Sequence, residues 1–211
     1  MKPPSLLTSL SLLLAIASLT SPARATFNGD EFSPELAIGL GYAAISVGDS
    51  SSVLNSLSAL KLDPVLSLSP LDGIPQLRFG ISPSLSVVLE ETDESLSFDD
   101  DTNTVEGTGD IPFILFQPEA RLSWRQPLGS HHQLFLEPGI GFGGALGWLN
   151  LDSLNEFASA WEGRAFLYIG TKVSGGTAGV EFSYMRTGNM NFADNAHGAV
   201  NEFYVGIFGA F

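Results

Sequence analysis

Glu119 and Arg121 are separated by a single residue, as are Glu162 and Arg164, and Lys61 and Asp63. Residues two apart in a strand project from the same face, so this spacing gathers acids and bases on one surface. Paired acids of this kind can do acid–base work or line an ion path. The residues of that parity are Glu35, Asp63, Glu119, Glu137, Glu162, Glu181 and Glu202, with Lys61, Arg78, Arg121, Arg125, Arg164 and Lys172. Opposite signs nearly balance, and charges enclosed without partners are costly. The expectation is therefore a salt-bridged interior, with Arg121 and Arg164 among Glu119, Glu137 and Glu162, and no catalytic residue.

Other chemistry is sparse. Asp99, Asp101, Asn103 and Asp110 fall at positions 1, 3, 5 and 12 of a calcium-loop count, but Thr104 stands where that loop needs glycine. The stretch from Glu90 to Asp110 reads as a solvated acidic loop. His131 and His132 share a short turn with no nearby carboxylate, so no metal site is expected there. There is no cysteine, hence no disulfide framework or thiol nucleophile. No phosphate-cradling glycine loop or Gly-x-Ser-x-Gly elbow occurs. The chain reads as a non-enzyme with no cofactor.

The elements that must position the charged face are strands. Apolar residues alternate with polar or small ones in eight segments, near 35–47, 57–69, 77–89, 111–125, 133–148, 160–172, 177–187 and 200–211. In the third, Leu77, Phe79, Ile81, Pro83, Leu85, Val87 and Leu89 oppose Arg78, Gly80, Ser82, Ser84 and Ser86. Connections near 70–76, 127–132 and 173–177 are short and rich in turn residues; those near 48–56, 90–110, 149–159 and 188–199 are longer and polar. Pro64, Pro83, Pro118 and Pro138 fall inside four segments. Each removes a ladder donor and a closed barrel has no edge to hold it, so bulges or bends are expected there.

A soluble periplasmic β-sandwich also has one apolar face. Three features turn that face to lipid instead. Strands of this length exceed those usual in globular sheets. The aromatics Tyr42, Trp124, Trp148, Trp161, Tyr184 and Phe211 sit near strand ends. The opposite face mixes charges with glycines, as a narrow lumen requires. Residues 1–25 carry one Lys, an apolar stretch diluted by Ser and Thr, and Ala23-Arg24-Ala25, the pattern of a cleaved signal peptide. Residues 26–211 then form one barrel domain. Full-chain net charge is −14, and loss of Lys2 and Arg24 takes it to −16, which disfavours nucleic acid.

The signal peptide, the eight segments and the last strand "VNEFYVGIFGAF" together resemble the small outer-membrane β-barrel proteins of Gram-negative-type envelopes. The resemblance implies an all-β, eight-stranded, antiparallel up-and-down transmembrane barrel, monomeric and located in the outer membrane. Its partners would be membrane lipid, lipopolysaccharide and the barrel-assembly machinery, and its role passive: envelope structure, surface interaction or small-solute passage. It also implies that Phe203, Val205, Ile207 and Phe211 form the assembly signal, although Gly209 stands where that pattern has a larger residue. The segment "YMRTGNMNFADNAHGAV" is faintly similar to the end of the lipid A deacylases. Arg186, Gly188 and Asn189 occupy that family's His-x-Ser-Asn positions, so its base and nucleophile are absent and an inactive relative is implied. His197 matches no position of that motif.

Overall fold

The computed structural model describes residues 34–47, 57–69, 71, 74–88, 96–97, 104–105, 113–128, 133–151, 154–193 and 196–211. The expected signal peptide, the candidate calcium-loop residues Asp99, Asp101, Asn103 and Asp110, and His131 and His132 lie outside these residues, as does the side chain of His197.

The alternating segments form strands β1 (Glu35–Val47), β2 (Leu57–Leu68), β3 (Leu77–Val88), β4 (Phe113–Trp124, continuing as Gln126–Leu128), β5 (Leu134–Leu151), β6 (Leu154–Val173), β7 (Gly176–Ala193) and β8 (Ala196–Ala210). A short ribbon pairs Leu96–Ser97 with Thr104–Val105. Each long strand pairs antiparallel with its sequence neighbours, and β1 pairs with β8, closing an eight-stranded barrel. The closing strand is tied to its end: Phe211 and Leu36 exchange backbone hydrogen bonds of 3.0 and 3.2 Å.

Following pairs once round the wall fixes the barrel's geometry. The path from Ser67 runs through Gly80, Arg121, Gly141, Arg164, Met185, Glu202 and Ile45 and returns to β2 at Leu57, ten residues from its start. That shift inclines the strands to the axis at roughly 35–45° and leaves a bore that side chains can fill. Along β4, burial alternates residue by residue from Phe113 to Trp124. Ile81, Ile140, Phe142 and Ile207 are each about 60% exposed, whereas Lys61 and Glu162 are fully buried. An apolar belt this continuous exceeds what a water-facing surface carries; it is the outer surface of a transmembrane barrel.

Two expectations need correction. The four prolines produce no bulge. The β2–β3 ladder stops at Leu62–Leu85 and resumes at Leu66–Ile81 in unchanged register, with Pro64 facing Pro83 across the gap. Pro83 in turn sits opposite Pro118. Ladder pairs between β4 and β5 likewise lapse between Phe116–Leu146 and Glu119–Gly143, beside Pro118, and resume in register. Pro138 pairs in register with Leu167, and β4 continues past Arg125 without slipping. Each ring lies on the outer face, so the wall forgoes the missing N–H without shifting its inward side chains. Among the described residues the register shifts fall in β7, between Arg186 and Asn189 and between Asn191 and Ala193.

The second correction concerns 149–159 and 188–199, expected as long loops. β5 and β6 pair as far as Leu151–Leu154, and β7 and β8 as far as Ala193–Ala196. Asn150, Asn155 and Glu156 made the first stretch look like a loop, yet Trp148 and Phe157 continue the outer face while Leu149 and Ala158 continue the inner one.

Candidate functional site: the closed lumen

Inward positions are divided between large and small residues by strand parity. In the middle of the lumen, β2 contributes Lys61 and Asp63, β4 Gln117, Glu119 and Arg121, β6 Glu162, Arg164 and Tyr168, and β8 Glu202 and Tyr204, all buried. The intervening strands offer mainly small residues: Gly39 and Gly41 on β1, Ser82, Ser84 and Ser86 on β3, Gly139, Gly141 and Gly143 on β5, Ser183 on β7. Eight long side chains per layer would not fit an eight-stranded bore. A Cβ on Gly141 would lie 2.6 Å from the Glu119 carboxylate, so the glycine makes room for that group.

These residues cross-link alternate strands. Arg121 donates to both carboxylate oxygens of Asp63, at 2.8 and 3.0 Å, to the Tyr168 hydroxyl and to Glu119. Arg164 donates to Glu119 at 3.0 Å and Glu202 at 3.3 Å. Lys61 donates to Glu202 and, at 2.8 Å, to Gln117. Serines complete the set: Ser82 donates to Asp63 at 2.6 Å and Ser86 to Glu202 at 2.6 Å. Glu181 reaches Arg121 at 3.9 Å. Among the described residues, both carboxylate oxygens of Glu162 are buried without a hydrogen bond.

A second cluster closes the rim of the short turns. Arg125 grips Glu35 through two bonds of 2.9 Å, the fork geometry in which guanidinium–carboxylate pairing is strongest. It also binds Glu137, while Arg78 approaches Glu35 at 3.0 Å and Glu137 at 3.7 Å. Glu137 therefore pairs with Arg78 and Arg125 instead of with Arg121 or Arg164, because β5 carries it down to the rim. Lys172, expected in the interior, is exposed at the turn end of β6. Above the rim cluster Phe135, Phe166, Tyr168 and Phe208 pack together, with ring centroids of 4.9 Å for Tyr168–Phe208 and 5.2 Å for Phe166–Tyr168.

The opposite third of the lumen is apolar. Ile45, Leu57, Val88, Phe113, Leu115, Leu149, Met185, Met190, Phe192 and Val200 form a buried core inside the barrel. Sequence reasoning assigned a polar interior throughout and missed this layer. Its signal was present in "FILF", where Phe113 and Leu115 oppose Ile114 and Phe116: a strand apolar on both faces touches lipid on one side and a protein core on the other. Among the described residues the lumen cavity beside the aromatic cluster measures about 20 Å³, lined in part by Glu35, Arg121, Arg125 and Glu137. That is room for about one water. Lys61 and the four arginines are each paired with a carboxylate, and among the described residues the cavity beside them has no substrate-sized space.

At the β7 irregularity Arg186 and Asn189 are exposed, and Gly188 lies against Trp161, whose indole nitrogen a Cβ there would approach to 2.7 Å. The adjacent hydroxyl, Thr187, accepts the Val200 N–H at 2.8 Å and donates to the Gly188 carbonyl at 2.7 Å, so it serves the backbone. On β8, Phe203, Val205 and Ile207 point outward, and Phe211 is exposed at the rim.

No protein-family model matches the sequence, and a search of characterised proteins finds no match. Among solved structures, the chain is similar to Neisserial surface protein A, with 12% identity, TM-score 0.57, and coverage of 85% of this chain and 99% of that one. Ail, the attachment invasion locus protein of Yersinia pestis, gives 14% identity, TM-score 0.44 and the same coverages. The outer membrane protease OmpT of Escherichia coli gives 8% identity and TM-score 0.38, covering 87% and 96%. The likeness to the first is one of fold, and with the closed register it makes this chain an all-β, eight-stranded antiparallel barrel of the outer-membrane type.

Proposed function

We propose that the chain is an integral barrel of an outer membrane with a passive role, in envelope structure and surface interaction, and that it does not conduct. The observation that carries this reading is the filling of the lumen: an ionic rim cluster with stacked aromatics, a salt-bridged centre and an apolar upper core follow one another along the axis. Solute passage would require all of them to part. Catalysis lacks support because every arginine of the lumen is held by a carboxylate and the cavity beside them is water-sized. The proposal includes export by residues 1–25, recognition of Phe203, Val205, Ile207 and Phe211 by the assembly machinery, and residence as a monomer among lipid and lipopolysaccharide.

Conductance tests the reading. The refolded protein in planar bilayers is expected to leave the baseline current unchanged; reproducible unitary steps would replace the structural role by a channel. Membrane fractionation tests the location: the chain is expected in the detergent extract, as a band whose migration changes on boiling. Recovery in the osmotic-shock wash would contradict it.

A further inference from the structure

The outer wall carries a cleft that neither the lumen nor the barrel fold requires. Phe142 stacks on Trp161, with centroids 6.3 Å apart, and further along the same two strands Trp148 stacks on Phe157 at 5.9 Å and an interplanar angle of 11°. Between these stacks the wall drops to Leu146 opposite Ser159, with Phe116 of β4 beside Leu146. The resulting groove, roofed by Ile114, Trp148 and Phe157, encloses about 440 Å³.

Its position identifies the occupant. Outward residues of β5 stay free of charge from Leu134 to Trp148, fourteen residue steps. At about 3.3 Å per residue and a tilt of roughly 40°, these cover about 35 Å along the axis. A barrel's apolar band is about 25 Å tall. The described outward residues of β3, from Leu77 to Val87, cover about that height. The uncharged outer face of β5 is therefore about 10 Å longer than the hydrocarbon is thick, and the groove lies towards its loop end, beside Ile114 and Phe116 and continuous with the lipid-facing belt below.

We infer that this groove seats one acyl chain of a lipid from the adjacent leaflet, drawn up along β5 and β6 between the two aromatic stacks. The inference rests on the transmembrane reading above. Ser159 keeps the floor open, the Trp148–Phe157 pair caps the chain, and the Trp148 indole is held by its hydrogen bond to Asn155 at 2.7 Å.

Bromine on lipid chains quenches tryptophan on contact, so the full chain is reconstituted into phosphatidylcholine vesicles with chain-brominated or unmodified acyl groups. Two variants are used: Trp124→Phe with Trp161→Phe leaves Trp148, and Trp148→Phe with Trp161→Phe leaves Trp124 in the opposite girdle. Trp148 is expected to lose at least half its emission in brominated vesicles, as Trp124 does, despite its height. Adding Ser159→Phe to the Trp148 protein is expected to restore most of that emission. Quenching of Trp124 alone overturns the groove and leaves the barrel in place; quenching of neither overturns the transmembrane orientation. Quenching of Trp148 that Ser159→Phe leaves unchanged in a correctly folded barrel, judged by heat-shifted migration, or a dimer joined through this face also overturns the inference. The first comparison needs no substitution in the groove floor.

Discussion

Glu202 and Glu162 are both fully buried carboxylates near the middle of the lumen, yet their surroundings differ. Glu202 is bonded by Lys61, Arg164 and Ser86, whereas among the described residues neither oxygen of Glu162 finds a hydrogen-bond partner. Removing one partner of a buried pair strands the other charge and costs about 3–5 kcal/mol. Lys61→Met is accordingly expected to destabilise the barrel by about that amount, read as a lower urea midpoint in lipid vesicles. Glu162→Gln is expected to shift the midpoint by less than about 1 kcal/mol or to raise it. Equal losses in the two variants would contradict this distinction. At this scale the charged residues of the interior could be read from parity alone, because a strand's faces alternate strictly. Which acid met which base could not, since the partners come from strands that are distant in sequence and depend on the ten-residue shift round the wall.

Elements were legible wherever alternation ran between clean turn signals: β1 and the starts of β2 and β3 lie where the pattern put them. Boundaries failed at the far ends of β5–β6 and β7–β8, where polar residues on a paired extension look like a loop. If those extensions are paired as described, the amides of Leu149 and Leu151 exchange slowly with deuterium; exchange within the dead time would restore the loops. The proline row is the other element-scale surprise. Two prolines face one another across β2 and β3, so that ladder lacks both of the donors that would join them. Replacing Pro64 and Pro83 together by valine supplies two N–H groups in an unchanged register. Each restored bond contributes about 1 kcal/mol, so unfolding is expected to require a measurably higher urea concentration. An unchanged or lower midpoint would mean that the proline rings fit the wall better than a hydrogen-bonded strand does.

For the whole molecule, the sequence made the barrel class recoverable through strand count, length and face polarity, but not the layering of its interior. A lumen that begins in salt bridges and ends in Met185, Met190 and Phe192 behaves as a protein core turned inside a membrane wall. The central claim is the direction of that wall: oily residues outward, charge enclosed. The chain contains no cysteine, so single cysteines can be placed without removing any. Spin labels set one at a time from position 79 to 85 of β3 test the claim most directly, by collision with molecular oxygen, which concentrates in lipid, and with a water-soluble nickel chelate. Labels at 79, 81, 83 and 85 are expected to meet oxygen strongly and nickel hardly at all, while those at 80, 82 and 84 are shielded from both. Strong nickel collision at 79, 81, 83 and 85 would place that face in water and contradict the account.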